Sequence, residues 1–481
     1  MENNDGEPRE SNSKLRIRQL LATLSSLLSV FMVGLSSSLE FVLLGQLYFP
    51  YTTNKANWTS SNEHWISNKN EIIWLQASTV ILAIPACWLS GFAMEKLGRR
   101  ILLIIASIIS LIGWLTIGFA NNFSYLLIGN AICGLSSGLI VSVVPVYVGE
   151  ISDPAFRAVL LSMMNVTKLL GTLTAIDIGT LLRWRTTVYI CASFSFINCL
   201  TCLFVRESPI WLIGKRQTSE AEDYWMYLRG RNTLKEYRAI VRAHGEENRS
   251  AVSWMRETLL SKHFLWPLAI LCVSFFTYRF SGTEVVSFLI PPLIGRVFET
   301  RYVIAIRIQL IVSVFVCYLV FKCKRKTLLL TSGFGSVSVL FLLSLLHPIN
   351  PYRPWISTVC FVFYCIYEPL GLSSLPWILC GELFSRKLRG FGVGLATGFS
   401  FACSFVEKIM APNIIIRMQP FGTLATYGIA IVLGTIFLWS TIPQTKDKTL
   451  LELDKMFGRK SDATGVLDET DSHLIMQESR L

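Results

Sequence analysis

Histidine is scarce, with five residues in 481, and none falls in an HExxH pattern. No phosphate-binding loop of the GxxxxGK[ST] type occurs either. With no catalytic constellation left, the chain is not expected to be an enzyme and no metal or cofactor is expected. Charge is also thin. Asp, Glu, Lys and Arg make up 16% of the chain, against about 25% in soluble domains. The period-two alternation of a membrane β-barrel is missing as well. The twelve Cys lie in or at the edges of apolar stretches. Cys87, Cys133 and Cys403 are typical, and most read as small packing residues.

What the chain has is apolar length. Hydrophobic residues make up 52% of it and the mean hydropathy is +0.50. They come in runs of about 20, the length that crosses a bilayer core as a helix. Backbone groups have no water there, so each run must satisfy its own hydrogen bonds, and helices result. The fold class is therefore an all-α membrane protein with twelve transmembrane helices. They lie near 20–46, 71–93, 101–120, 124–146, 158–182, 186–205, 264–290, 300–321, 327–347, 355–380, 390–412 and 421–443.

The formal charge of +12 raises the question of nucleic acid. Its placement answers that question. Most of the 44 Lys and Arg residues fall in alternate loops and in the tails, on the side that also holds the N-terminus. This is the positive-inside bias, which puts both termini in the cytoplasm and leaves no surplus for nucleic acid. A bilayer is the partner that composition implies. Oligomeric state is left open.

One unit is written twice. PVYVGEISDPAFR, residues 145–157, is echoed by PWILCGELFSRKLRG, residues 376–390. In both, Pro precedes an aromatic, a Glu follows, and an Arg stands seven residues after the Glu: Glu150 with Arg157, Glu382 with Arg389. The recurrence suggests an ion pair between helix ends. Between the copies, a polar stretch of about 58 residues separates six spans from six. The expected division is a tail 1–19, a bundle 20–205, a cytoplasmic linker 206–263, a bundle 264–443 and a tail 444–481. Ser219 and Glu222 form a capping-box pattern. Ala221, Tyr224, Trp225 and Leu228 then mark one face of a short amphipathic helix. The linker's basic residues read as a solvated face more readily than as a partner-binding patch. Asn57-Trp58-Thr59, in the loop opposite the basic side, is the candidate glycosylation site.

At this point the chain resembles the sugar-porter family of the major facilitator superfamily, over roughly residues 15–457. Five landmarks carry the resemblance in order: EKLGRR (95–100), PVYVGE with Arg157, ESPIWL (207–212), PWILCGELF with Arg389, and PQTKDKTL (443–450). The SVFMVGLSSS opening is most similar to the facilitated trehalose transporter-like branch. The resemblance implies two six-helix bundles around a central cavity, alternating access, and the cell membrane as location. It implies a cytoplasmic gate of Glu95, Arg99, Arg100, Glu150, Arg157 and Glu207 in one half, with Arg325, Glu382 and Arg389 in the other. Its sugar ligands map onto Asn165, Tyr278, Arg279, Glu284, Gln309, Trp377, Ser400 and Phe401.

Several of those positions depart from the family. The span-seven QQ-x-S-G-x-N motif reads Tyr278-Arg279-Phe280-Ser281-Gly282-Thr283-Glu284, so both glutamines and the asparagine are gone. The span-one Asp of proton-coupled members reads Ser36, and the span-four Arg reads Asn130. New charges stand within spans: Lys168, Arg279, Glu284 and Glu368. These either contact a polar or charged solute, or form neutralising bridges that clamp the halves. Glu407, Lys408 and Asp177 fall near span ends, where snorkelling suffices to explain them. The reading that follows is facilitative transport of a small polar solute, a sugar by default (a hexose or a trehalose-like disaccharide). A non-transporting sensor and a proton-coupled transporter using Glu40 or Glu284 are the alternatives.

Overall fold

The computed structural model describes residues 12–47, 69–245, 261–282, 298–346, 354–385, 388–443 and 452. Sixteen α-helices and one short 3-10 turn account for almost all of them. In chain order they are α1 (Asn12–Leu47), α2 (Lys69–Ile81), α3 (Ala83–Leu97), α4 (Arg99–Gly118), α5 (Phe123–Ile151), α6 (Pro154–Leu181) and α7 (Trp184–Leu203). Three short helices follow: α8 (Pro209–Gly214), α9 (Thr218–Arg229) and α10 (Leu234–Gly245). The rest are α11 (Lys262–Arg279), α12 (Phe298–Lys322), α13 (Arg325–Leu346), α14 (Pro354–Gly371), α15 (Leu375–Glu382) and α16 (Arg389–Thr441). Eleven stretches among the described residues are long and apolar enough to cross a membrane. The expected seventh span, 264–290, is described only as α11; Thr283 and Glu284 lie outside the described residues, as does Asn57.

Prolines set the breaks. Pro85 has no N–H to give the carbonyl of Ile81, and the second span parts there into α2 and α3. Pro369 and Pro376 flank the gap between α14 and α15. The backbone freed in that gap is recovered by serines. Ser332 Oγ accepts from Leu372 N at 3.0 Å and donates to Glu368 O at 3.1 Å, while Ser374 Oγ donates to Pro369 O at 2.8 Å. A broken helix survives at membrane depth only with such substitutes.

α16 is helical over 53 residues. Drawn straight it would run about 80 Å, far beyond a bilayer. It doubles back instead. Phe391, near its start, stacks on Phe264 at 6.0 Å, and Phe437, near its end, meets Trp266 at 6.3 Å. Two residues so close on α11 can touch both ends only if α16 reverses direction between its two apolar stretches, Arg389–Ala411 and Gly422–Thr441. The eleventh and twelfth spans are thus present, with a helical bend where a loop was expected.

The first helix begins at Asn12, not near residue 20, because its basic end is tied to the linker. Gln19 Nε2 donates to Leu228 O at 3.1 Å, and Gln19 Oε1 accepts from Asp153 N at 3.1 Å. α9 starts at Thr218 and uses no side-chain cap, so the Ser219–Glu222 box goes unused. Its stripe of Ala221, Tyr224, Trp225 and Leu228 is buried as expected.

α1 packs on α6, and α5 lies between α3 and α4. In the second half α13 packs on α14, and both α11 and α13 pack on α16. The halves meet through α3 with α16, α6 with α12, and α15 with both α5 and α6. The largest apolar cluster draws on both: Val144 and Leu161 with Phe275, Leu379 and Val393. Ile108, Ile112, Phe196, Ile311, Phe315 and Leu433 point outward and are exposed, as a lipid-facing surface requires.

Candidate functional site

Charge pairs gather at the end of the bundle that carries the EKLGRR turn, called here the basic end. Arg99 opens α4, and its Nη2 meets Glu150 Oε1 at 2.9 Å and Glu95 Oε1 at 3.2 Å. Its Nη1 turns back to Met94 O at 3.1 Å. The second half repeats the construction. Arg325 opens α13, reaches Glu382 Oε1 at 3.2 Å through Nη2, and donates to Val320 O at 2.9 Å through Nη1. Arg389 opens α16 and donates to Phe384 O at 3.1 Å. In each case the guanidinium folds back to the carbonyl five residues earlier.

The partners differ from those that sequence spacing suggested. Glu150 pairs with Arg99, 51 residues away, and not with Arg157. The buried Arg157 feels Glu382 of the other half together with Arg389 and Arg229. Glu207 does not grip the Arg99 and Arg100 side chains either. Its carboxylate accepts from their backbone N–H groups, at 2.9 Å and 3.1 Å, and so caps the start of α4. Gly98, at φ 92°, makes the turn that presents them. Arg100 Nη2 donates to Leu203 O at 2.9 Å.

Two glycines from the duplicated motif allow the halves to touch. A Cβ on Gly149 would lie 3.2 Å from Gly381 Cα. Each glycine directly precedes its glutamate, so the crossing of α5 and α15 is set by the repeated Gly-Glu pair. Nearby, Ser142 and Thr397 hydroxyls meet at 2.8 Å, and Glu95 reaches the start of α16 beside Gly390.

The linker contributes one residue that sequence reading missed. Arg229 is buried; its Nη2 donates to Glu150 O at 3.2 Å and Ser152 O at 2.6 Å, and its Nη1 meets Glu236 at 3.4 Å. Its guanidinium also sits 4.0 Å from the Trp225 ring. It therefore caps the last carbonyls of α5. Burial pulls its pKa below the usual value, and Glu236 works against that shift. The periodic stripe on α9 was legible, but nothing marked Arg229 as the charge turned inward.

Midway along the bundle lies a second polar group. Asn165 Nδ2 spans 3.2 Å to both Ser313 Oγ and Ser373 Oγ, linking α6 to α12 and to the α14–α15 break. Ser373 N also donates to Glu368 O at 3.5 Å, and the field of Lys168 reaches the Glu368 carboxylate. Lys168 Nζ lies 3.3 Å from Tyr278 Oη. Arg279 sits 5.3 Å from the Tyr278 ring centroid and 5.6 Å from that of Phe401, and its Nε donates to Ser400 Oγ at 3.0 Å. Gln309 stands one turn from Ser313 on α12. Trp377 meets Phe275 edge-on at 5.1 Å, one turn beyond Ser373. The structure thus brings Asn165, Tyr278, Arg279, Ser400 and Phe401 into one neighbourhood, with Lys168 and Glu368 inside it.

At the opposite end two ion pairs join the halves. Lys408 Nζ meets both Glu40 oxygens, at 3.0 Å and 2.9 Å, and Gln76 O at 3.0 Å. Thr79 Oγ1 donates to Glu40 Oε1 at 2.6 Å. Arg307 Nη2 meets Asp177 Oδ1 at 3.1 Å. Snorkelling does not explain Lys408 and Asp177: each has a specific partner from the other half, too distant in sequence to pair by inspection. Asn130, by contrast, is structural, donating to Leu75 O and Ser78 Oγ at 3.0 Å. Among the described residues no group of His, Cys, Asp and Glu suits a metal ion.

A family profile described as "Sugar (and other) transporter" matches residues 19–457. The facilitated trehalose transporter Tret1 of Bombyx mori is 27% identical over 468 residues, which span 94% of this chain and 90% of that protein. Its counterpart in Apis mellifera ligustica is 26% identical over 451 residues, 91% of this chain and 88% of that protein. Among solved structures, the proton:xylose symporter XylE bound to 6-bromo-6-deoxy-D-glucose superposes with a TM-score of 0.77 at 20% identity, covering 92% of this chain and 99% of that one. The inward-open xylose transporter XylE from E. coli gives 0.67 at 19% identity, covering 91% and 99%. These structures share the fold of the major facilitator superfamily.

Proposed function

This chain belongs to the sugar (and other) transporter family, and from that premise we propose that it carries a sugar across the cell membrane by facilitative alternating access. The relatives named for trehalose favour a hexose or a trehalose-like disaccharide as the solute. The basic end faces the cytoplasm on this reading, by the positive-inside bias. The observation that carries the proposal is the duplicated Arg99–Glu150 and Arg325–Glu382 construction at one end of a bundle whose middle is polar. Buried pairs of this kind stiffen the inner ends of α4–α5 and of α13–α15, so each half can move as a body. Between the halves at this end the polar contacts are lighter: a hydroxyl pair beside the glycine crossing, and the long-range field between Arg157 and Glu382.

The outer end closes on Glu40–Lys408 and Asp177–Arg307. Magnitude separates the two. The Asp177–Arg307 side chains are 41% and 56% exposed, and such a pair contributes about 0–1 kcal/mol. Glu40 and Lys408 are 9% and 13% exposed, and removing one partner of a buried pair costs about 3–5 kcal/mol. Glu40–Lys408 is therefore the outer latch, with Asp177–Arg307 as its weak companion. In the centre, Asn165, Gln309 and Ser400 offer hydrogen bonds to sugar hydroxyls, and Trp377, Tyr278 and Phe401 offer faces to the sugar's apolar side.

The test is uptake of labelled glucose and trehalose into proteoliposomes holding the purified protein. Saturable flux, unchanged by an imposed pH gradient, is expected. Flux equal to that of protein-free vesicles across hexoses and disaccharides refutes the proposal.

A further inference from the structure

Lys168 is the fifteenth of the 28 residues of α6. About 20 Å of helix lies on either side of it, more than its four-carbon stem can reach, so its ammonium cannot snorkel to either surface. The helix behind it is fixed. Gly34 of α1 lies directly against Lys168 O and Thr172 N, with no room for a Cβ, and Thr172 Oγ1 donates to Gly34 O at 3.2 Å. The side chain has one way to go, toward the other half.

There it is under-satisfied. An ammonium has three N–H donors. Among the described residues Lys168 makes one hydrogen bond, to Tyr278 Oη at 3.3 Å, and its ammonium lies 5.9 Å from the same ring. No carboxylate among them stands at ion-pair distance. The Glu368 carboxylate, which feels its field, stands five residues before Ser373. Ser373 also accepts from Asn165, one helical turn from Lys168 on the same face of α6. Among the described residues Lys168 and Glu368 form no ion pair. Lys168 is only half-buried, and a charge at this depth faces the interior of the bundle and not the lipid.

We propose that Lys168 is a direct ligand of the transported solute. It donates hydrogen bonds to hydroxyl oxygens of a sugar held beside Tyr278 and Asn165. This inference rests on the transport reading and deepens it. A sugar hydroxyl suits Lys168, because the hydroxyl oxygen accepts from the ammonium.

The experiment compares wild type, K168Q and K168M in the same proteoliposomes. It measures KM and maximal rate for the best-carried sugar and for its monodeoxy derivatives, with thermal melting as a check on folding. Loss of a charge-assisted hydrogen bond is expected to raise KM about 10- to 100-fold in K168M, with the maximal rate within about threefold and K168Q between the two. The deoxy series carries the discriminating result: one derivative is carried poorly by wild type, yet K168M treats it like the parent sugar. An unchanged KM overturns the proposal, and so does an equal loss for every derivative, which marks a packing defect. Failure of wild type to move any sugar overturns the transport reading instead. Sugar-induced shifts in melting temperature of wild type and K168M then decide the ligand role: a shift lost in K168M supports it, and equal shifts, or none in either, remove it.

Discussion

Replacing Gly149 by valine should open the basic end. An added Cβ at this position falls 3.2 Å from Gly381 Cα and 3.4 Å from Gly381 O, against about 3.5–4.0 Å for unstrained carbon contacts. Both neighbours are backbone and cannot rotate away, so α5 and α15 must separate by several tenths of an ångström. Valine adds two methyl groups to that demand. Overpacking of this size costs about 1–3 kcal/mol. The cost applies only while the halves touch there, so it acts on the conformational equilibrium and not on folding. At ~1.4 kcal/mol per decade, the inward-open population rises about 5- to 150-fold.

Cys87 reports it. The thiol is fully buried beside Gly138 O, between α3 and α5 and close to the Ser142–Thr397 contact. Its alkylation by a small permeant maleimide, followed by peptide mass spectrometry, should accelerate by the same factor. Gly149→Ala should fall between. Gly428→Ala is the control, because a Cβ there meets Phe341 at 3.4 Å or more, an ordinary contact. Cys87 alkylation that is equally slow in wild type and Gly149→Val would show that this crossing does not hold the end shut.

Other perturbations test separate parts of the same arrangement. Arg99→Ala leaves Glu150 buried with neither oxygen paired, since Oε2 already lacks a hydrogen-bond partner among the described residues; thermal unfolding should show a loss of about 3–5 kcal/mol, and an unchanged melting temperature would count against the pair. Glu40→Gln removes the outer latch and should accelerate alkylation of a cysteine placed at Thr79, while Asp177→Asn should alter it far less; equal effects would contradict the ranking. Arg229→Ala removes two bonds to the end of α5 and the Glu236 pair, so the melting temperature should fall, and Arg229→Lys should restore only part of it because one ammonium cannot match the planar fork. Retained stability in Arg229→Ala would mean that the linker merely rests on the bundle.

Much of the site was legible because the family's landmarks are local. PVYVGE and PWILCGE announce both the glutamates and the glycines on which the halves cross, and ordinary spacing puts Asn165 and Lys168 on one face of α6. The pairing was not legible. Glu150 chose Arg99 over Arg157 because α4 begins beside the end of α5. Residue separation along a chain gives no distance once a helix has reversed direction. The same reason hid Lys408 from Glu40, and it made the eleventh and twelfth spans read as two helices when α16 runs through its own bend.

Apolar runs of bilayer length were enough for the sequence to determine the class and the helical form of the spans, because lipid permits few backbone solutions. The duplicated Gly-Glu motif likewise placed two equivalent helix ends at one face. Only the tertiary structure decided which charges meet: Arg99 with Glu150, Arg325 with Glu382, and Glu40 with Lys408, and which charge, Lys168, stops short of its counterpart. Electrostatic partnership depends on distances of a few ångströms between helices far apart in the chain, and packing alone sets those distances.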